Sequence, residues 1–141
     1  MATKPINEST MRTILVVEDE DGLRKLVIRK LERDGFHVIE ATNGAQAETK
    51  WEERRAEVSL LLTDMCMPVG PDGWELARRL QGQDPNLKVL FMTGYSEDLL
   101  AHGQHLVEGA DYLLKPFDMD QLVAVIRQRL GLDANTDEAR D

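Results

Sequence analysis

The middle of the chain contains Val58-Ser59-Leu60-Leu61-Leu62-Thr63-Asp64, an apolar run that ends in an acid. Its length and its Leu and Val content favour a buried strand, and Met65-Cys66-Met67-Pro68 ends it. A carboxylate at the end of a buried strand is costly unless another group pairs with it. We therefore expect Asp64 to have charged partners elsewhere in the chain.

Three further apolar runs end in residues that could be those partners. The runs and the residues that follow them are Ile14–Val17 with Glu18, Asp19 and Glu20, Leu87–Met92 with Thr93, and Tyr112–Leu114 with Lys115. If all four runs are parallel neighbours, their polar ends meet at one edge of one sheet. Acids, a hydroxyl and an ammonium at one place suit the binding of a divalent cation and the acceptance of a phosphoryl group.

Composition places the chain among ordinary globular domains. It has 141 residues, of which 42% are hydrophobic and 30% charged, enough for one domain with a substantial core. No apolar stretch approaches the roughly 18–20 residues of a membrane span, so we expect a cytoplasmic protein without a membrane partner. The single cysteine, Cys66, excludes an intrachain disulfide, and a net charge of −9 disfavours nucleic acid as a partner.

Apolar runs alternate with helical patterns along the chain. The predicted strands are Thr13–Val17, Phe36–Ala41, Val58–Thr63, Leu87–Met92 and Ala110–Leu114. The predicted helices are Asp21–Asp34, Ala45–Arg55, Trp74–Leu80, Glu97 to about Val107, and Asp118–Leu130, the last three with possible caps at Asp72, Ser96 and Asp118. The residues expected to face the core are Leu23, Leu26, Val27 and Leu31 in the first helix, and Ala45, Ala47 and Trp51 in the second.

This alternation predicts an α/β fold, a flavodoxin-like (βα)5 three-layer sandwich with a parallel five-stranded sheet in the order 2-1-3-4-5. Ligands of such sheets bind outside the carboxyl ends of the strands. Oxygen ligands without nearby His or Cys pairs favour Mg²⁺, with Mn²⁺ as a second possibility. A carboxylate can itself be the nucleophile that forms an acyl phosphate.

Four motifs, in this order and at these strand ends, resemble the signatures of response-regulator receiver domains. They are Val17-Glu18-Asp19-Glu20, Leu62-Thr63-Asp64-Met65 with Met67-Pro68, Met92-Thr93-Gly94, and Lys115-Pro116-Phe117. The resemblance covers about Thr13 to Gly131. It divides the chain into a flexible leader (1–12), a receiver domain (13–131) and a disordered acidic tail (132–141).

The resemblance implies a role for each matching residue. Asp64 would be the phosphoacceptor and a metal ligand, Asp19 a direct Mg²⁺ ligand with Glu18 helping, and the backbone carbonyl of Cys66 the remaining protein ligand. The residues that would respond to phosphorylation are Thr93 as the switch hydroxyl, Lys115 as the phosphoryl-binding lysine, and Tyr112 as the aromatic switch. The Lys115–Pro116 peptide is expected to be cis by the same resemblance.

The function implied is Mg²⁺-dependent transfer of a phosphoryl group onto Asp64 from a histidine kinase or a histidine phosphotransfer protein. The receiver would not be an enzyme in the usual sense, but would catalyse its own phosphorylation and dephosphorylation. A downstream protein would bind the face formed by the helix beginning at Glu97, the fifth strand and the last helix. The protein would be a monomer or a weak dimer.

One loop departs from the family pattern, and other functions stay open. Val69–Pro71 lengthens the loop after the acceptor, which resembles receivers of hybrid sensor histidine kinases. The main alternative is a receiver-like binding module that acts without phosphorylation. A phosphatase with an Asp nucleophile normally needs a second acid two residues further on, where this chain has Cys66, and the acidic Glu18–Asp21 loop disfavours a flavin phosphate.

Overall fold

The computed structural model describes residues 12–94 and 105–132. Its strands are β1 (Thr13–Val17), β2 (His37–Ala41), β3 (Val58–Asp64), β4 (Lys88–Thr93) and β5 (Tyr112–Leu114). Its α-helices are α1 (Asp21–Arg33), α2 (Gly44–Arg54), α3 (Gly73–Gln83) and α4 (Met119–Arg129), and a short 3₁₀ turn, Arg55–Glu57, follows α2. Among these residues, no helix has the length and apolar character needed to cross a bilayer.

The strands form one parallel sheet in the order β2-β1-β3-β4-β5, which confirms the predicted topology. The register aligns the carboxyl ends of the strands: Val17 pairs with Thr63, Asp64 with Met92, and Thr93 with Leu114. The residues that follow β1, β3, β4 and β5 therefore lie at one edge of the sheet.

Two hydrophobic cores lie on opposite faces of the sheet, because side chains of a strand alternate between faces. Leu15 and Leu61 belong to the core with α2 and α3, whereas Ile14 and Leu62 belong to the core with α1 and α4. Burial on both faces explains why the strands are continuous apolar runs. The α/β three-layer architecture predicted from the sequence is confirmed.

Local hydrogen bonds fix where several elements begin. Asp72 Oδ1 accepts from the Glu75 N–H at 2.8 Å, and Asp118 Oδ1 accepts from the Asp120 N–H at 2.7 Å, so both predicted caps are confirmed. Asn43 caps α2, since its Oδ1 accepts from the Gln46 N–H at 2.8 Å.

Several predicted boundaries and faces differ from the structure. Phe36 is not in β2, because its N–H bonds to the Leu31 carbonyl at 3.0 Å and closes the end of α1. Ala110 is not in β5, because its N–H and that of the next residue turn back to the Val107 carbonyl. Two residues predicted to face the core, Leu26 and Ala45, are exposed, since the sheet covers a narrower stripe of each helix than the apolar spacing suggested.

The helix predicted from Glu97 to about Val107, with its cap Ser96, lies mostly outside the described residues. Residues 105–107 are described and are not helical. All but one residue of the predicted leader and all but one of the acidic tail also lie outside the described residues, so that division of the chain stays a prediction.

Candidate functional site

Asp64 is the last residue of β3 and is buried. Its Oδ1 accepts a hydrogen bond from the Cys66 N–H at 3.2 Å, and its Oδ2 accepts from Lys115 Nζ at 3.0 Å. The start of α3 packs directly against the same residue, since a Cβ on Gly73 would overlap the backbone oxygen of Asp64. The position of Asp64 is thus fixed by a charge, a backbone amide and a helix end.

Two further carboxylates lie beside Asp64. Glu18 directly follows β1 and is fully buried, while Asp19 is exposed. Glu18, Asp19 and Asp64 each offer an oxygen within 4.8 Å of the others, as the alignment of strand ends predicted. Carboxylates this close repel one another, so the cluster favours a cation or a proton.

Lys115, which directly follows β5, joins this cluster. Its Nζ donates to Glu18 Oε1 at 2.9 Å as well as to Asp64, and its backbone N–H donates to the Thr93 carbonyl at 2.8 Å. The peptide bond between Lys115 and Pro116 is cis, as the family resemblance implied. The ammonium therefore links two buried acids that come from two different strands.

Burial determines the protonation behaviour of these groups. Burial raises the pKa of Asp64 and of Glu18, and it outweighs the hydrogen bonds that favour the two carboxylates. Burial also disfavours the charged form of Lys115, but its hydrogen bonds to Glu18 and Asp64 outweigh that effect and raise its pKa. In Glu18 and Asp64, the hydrogen bonds and the charge of Lys115 do not fully offset the cost of burying a carboxylate. The site therefore favours a further cation.

The remaining predicted site residues lie at or near the same edge. Thr93 ends β4, is almost fully buried, and is one residue beyond the register partner of Asp64. Tyr112 begins β5, is half-buried, and packs against the core on the α2 and α3 side. Cys66 is exposed two residues after Asp64. The structure gives their positions, and the individual roles of all these residues stay predictions.

A groove beside Lys115 was missed by sequence reasoning. It has a volume of about 790 Å³ and its apolar lining includes Leu23, Leu26, Phe117 and Met119. Leu26 is 54% exposed, although its helical spacing predicted a core position. The sequence did contain an indication of this groove, because the apolar face of α1 is wider than the sheet can cover.

The sequence model of the response regulator receiver domain family matches residues 14–127. The chain belongs to this family. The match spans β1 to most of α4, so it includes each strand end that forms the acidic site.

Individual relatives agree with this assignment. The receiver domain is 40% identical over 120 residues to the response regulator receiver protein CpdR of Brucella abortus (strain 2308), which covers 85% of this chain and 98% of that protein. It is 35% identical over 127 residues to sensor kinase CckA of the same organism, covering 90% of this chain but 13% of the kinase. The solved structure of response regulator protein TrrA from Thermotoga maritima, in complex with Mg(2+)-BeF, superposes with a TM-score of 0.72 at 28% identity and covers 84% of this chain and 99% of that one.

These relatives include a receiver protein and part of a sensor kinase. The identity to part of CckA agrees with the likeness to receivers of hybrid sensor histidine kinases that the lengthened loop suggested.

Proposed function

We propose that this receiver domain accepts a phosphoryl group on Asp64 from a histidine kinase or a histidine phosphotransfer protein. The observation that carries the proposal is the position of Asp64: it is buried at a strand end, bonded to Lys115, and within 4.8 Å of two other carboxylates through their oxygens. A single buried acid serves many structural purposes, but three acids and one shared ammonium at a sheet edge suit phosphoryl chemistry.

The donor set fits Mg²⁺. The carboxylates of Glu18, Asp19 and Asp64 together with the backbone carbonyl of Cys66 would hold the ion, since Mg²⁺ prefers hard oxygen ligands. When bound, the ion supplies positive charge to the oxygens of the transferring group. The similar fold of TrrA, solved with Mg(2+)-BeF, supports this assignment.

The residues of the chain have separate tasks in the proposed transfer. A carboxylate oxygen of Asp64 attacks phosphorus while the P–N bond of the donor phosphohistidine breaks, and the electron pair of that bond returns to the imidazole nitrogen. The Lys115 ammonium, already bonded to Asp64, binds a phosphoryl oxygen. Thr93 supplies a hydroxyl to another oxygen, and Tyr112 occupies space near β4 when Thr93 moves. Water later hydrolyses the acyl phosphate in the same site.

The donor must reach the same edge of the sheet. The groove lined by Leu23, Leu26, Phe117 and Met119 reaches Lys115 and supplies apolar surface on which a donor protein could pack during transfer. The face proposed for a downstream protein includes residues 95–104, which the structure does not describe. That face, the oligomeric state and the cytoplasmic location remain predictions.

Incubation with acetyl phosphate and Mg²⁺, followed by intact-protein mass measurement, tests the proposal without a cognate kinase. Wild type should gain one phosphoryl group, and the gain should disappear when Mg²⁺ is chelated. Asp64→Asn should not be labelled, whereas Asp84→Asn, which alters the turn before β4 at the opposite edge of the sheet, should be labelled like wild type. An unlabelled wild type, or equal labelling of Asp64→Asn, would favour a binding module that acts without phosphorylation.

A further inference from the structure

Arg24 in α1 is a buried charge that the proposed reaction does not use. It is 5% exposed, and its guanidinium donates to groups from three parts of the chain. Nε donates to Glu40 Oε2 at 2.6 Å, Nη1 to the Glu18 backbone oxygen at 3.0 Å, and Nη2 to Asp21 Oδ1 at 2.7 Å. A buried guanidinium is costly unless its donors are paired, so these three bonds determine where the side chain lies.

The bond to Glu18 acts on the backbone between two residues of the acidic cluster. The carbonyl oxygen of Glu18 and the amide nitrogen of Asp19 belong to one planar peptide group. Holding that oxygen fixes the orientation of the plane, and with it the direction in which the chain enters Asp19. The guanidinium is anchored in turn by Glu40, which lies on the neighbouring strand β2.

A second contact from the same residue holds the far end of the Glu18–Glu20 turn that contains Asp19. The backbone N–H of Arg24 donates to the Glu20 carbonyl at 3.0 Å, as the first turn of α1 closes. Glu18 is held further by its own N–H, which donates to the Ala41 carbonyl at 3.2 Å. The peptide group before Asp19 and the one after Glu20 are thus both tied to Arg24, while the Glu20 N–H between them donates to Glu18 Oε2 at 3.0 Å.

We propose that Arg24 is a positioning residue that orients Glu18 and Asp19 for the divalent cation. This inference rests on the metal site of the proposed function. Arg24 touches the backbone of the cluster and not its carboxylate oxygens, so it acts through the shape of the Glu18–Glu20 turn. Groups that orient metal ligands in this way typically change metal affinity by about 10–100-fold when removed.

The charge and the hydrogen-bond geometry of Arg24 have opposite effects on the binding of a cation. As a positive charge near the cluster, it repels Mg²⁺, so its removal would strengthen binding if charge were all that mattered. As a positioning group, its removal weakens binding. Lysine keeps the charge but presents a compact ammonium that cannot reproduce the planar fork of guanidinium donors. Arg24→Lys and Arg24→Met therefore separate the two effects.

The experiment is a titration of the full chain with Mg²⁺, followed by backbone amide shifts in NMR spectra, with the melting temperature of each variant measured in the absence of metal. Arg24→Lys and Arg24→Met should each weaken Mg²⁺ binding by about tenfold or more. Glu40→Gln, which weakens the anchor and leaves Arg24 in place, should weaken binding by a smaller factor. Lys25→Met removes an exposed charge from the same helix and should bind Mg²⁺ at least as tightly as wild type.

Each outcome decides the matter. Wild-type affinity in Arg24→Lys together with tighter binding in Arg24→Met would show that only charge acts, and would overturn the inference. A lower melting temperature with unchanged affinity in Arg24→Lys would show a purely structural role, and would also overturn it. Absence of Mg²⁺ binding by wild type would refute the proposed metal site itself, which distinguishes that failure from a failure of the role of Arg24.

Discussion

Replacing Lys115 with Met removes an ammonium from a site that it holds together. Lys115 Nζ lies 2.9 Å from Glu18 Oε1 and 3.0 Å from Asp64 Oδ2, and the side chains of the two acids are 1% and 12% exposed. Methionine fills a similar length with an apolar chain, so the change acts mainly on charge. We expect the variant to be destabilised in the absence of Mg²⁺, because two buried carboxylates lose their shared cation.

The size of the effect follows from these distances. At an effective dielectric of 20, each attraction near 3 Å is about 5.5 kcal/mol, while two carboxylate oxygens within 4.8 Å of each other repel by at least about 3.5 kcal/mol. The variant avoids most of this penalty if one acid takes up a proton. For a glutamate with the ordinary pKa of 4.5, protonation at pH 7 costs about 3.4 kcal/mol. The cost of protonating one acid is therefore the upper limit on the destabilisation, and we expect Lys115→Met to lose about 3 kcal/mol of unfolding free energy at pH 7.

The same reasoning predicts a pH dependence. Protonation becomes easier by about 1.4 kcal/mol per pH unit, so the loss in Lys115→Met should shrink to about 1.4 kcal/mol at pH 5.5. Urea unfolding with chelator present measures both values, with the fluorescence of the buried Trp51 as the signal. Lys25→Met serves as the control and should change stability by less than about 0.5 kcal/mol. A loss that is equal at both pH values, or no loss at pH 7, would refute this account of the site.

Three further expectations concern the acceptor, the helix behind it and the groove. Without Mg²⁺, Asp64→Asn should unfold at a higher urea concentration than wild type at pH 7. This gain in stability should shrink as pH falls toward 3.8, because the raised pKa of Asp64 lets the carboxyl of the native protein take up a proton before that of the unfolded chain does. A gain that does not depend on pH would contradict this. Gly73→Ala should lower the free energy of unfolding by urea by about 1–3 kcal/mol, because the added Cβ would overlap the backbone of Asp64. Gly82→Ala in the same helix is the control: its Cβ has open space, so the change should be neutral or stabilising. Leu26→Lys should slow transfer from a phosphohistidine donor about tenfold and leave acetyl phosphate labelling unchanged, since only the protein donor needs the groove; equal slowing of both reactions would exclude a docking role.

The sheet edge was predictable because few topologies satisfy the sequence. Parallel strands joined by right-handed crossovers place every carboxyl end on the same side, so the polar residues that follow four of the apolar runs already indicated a shared site. Asp64, Glu18 and Lys115 meet as expected, and the cis peptide at Pro116 agrees with the family motif. The polar ends of buried strands thus carried most of the information about the candidate site.

Other features depended on tertiary contacts that periodicity does not contain. Leu26 has the spacing of a core residue, but it is exposed because it lines the groove that it shares with Phe117. In the sequence, Arg24 looks like an ordinary cation on a helix. Its hydrogen bond to Glu40, near the end of the neighbouring strand β2, is visible only in the structure. The start of β5 was predicted two residues too early, because the N–H groups of Ala110 and Asp111 bond to the Val107 carbonyl in a local turn instead of to the sheet.

The charge balance of the site argues that Lys115 and the divalent cation have different tasks. Three carboxylates meet where only one ammonium, that of Lys115, pairs with two of them, which leaves about two uncompensated negative charges among Glu18, Asp19 and Asp64. A divalent cation matches that remainder, whereas a second lysine would not. A phosphoryl group on Asp64 replaces one negative charge by about two and adds acceptor oxygens. Lys115 would then exchange its bond to Asp64 Oδ2 for a phosphoryl oxygen while its bond to Glu18 holds it in place, so the residue that stabilises the unmodified site also detects the modified one.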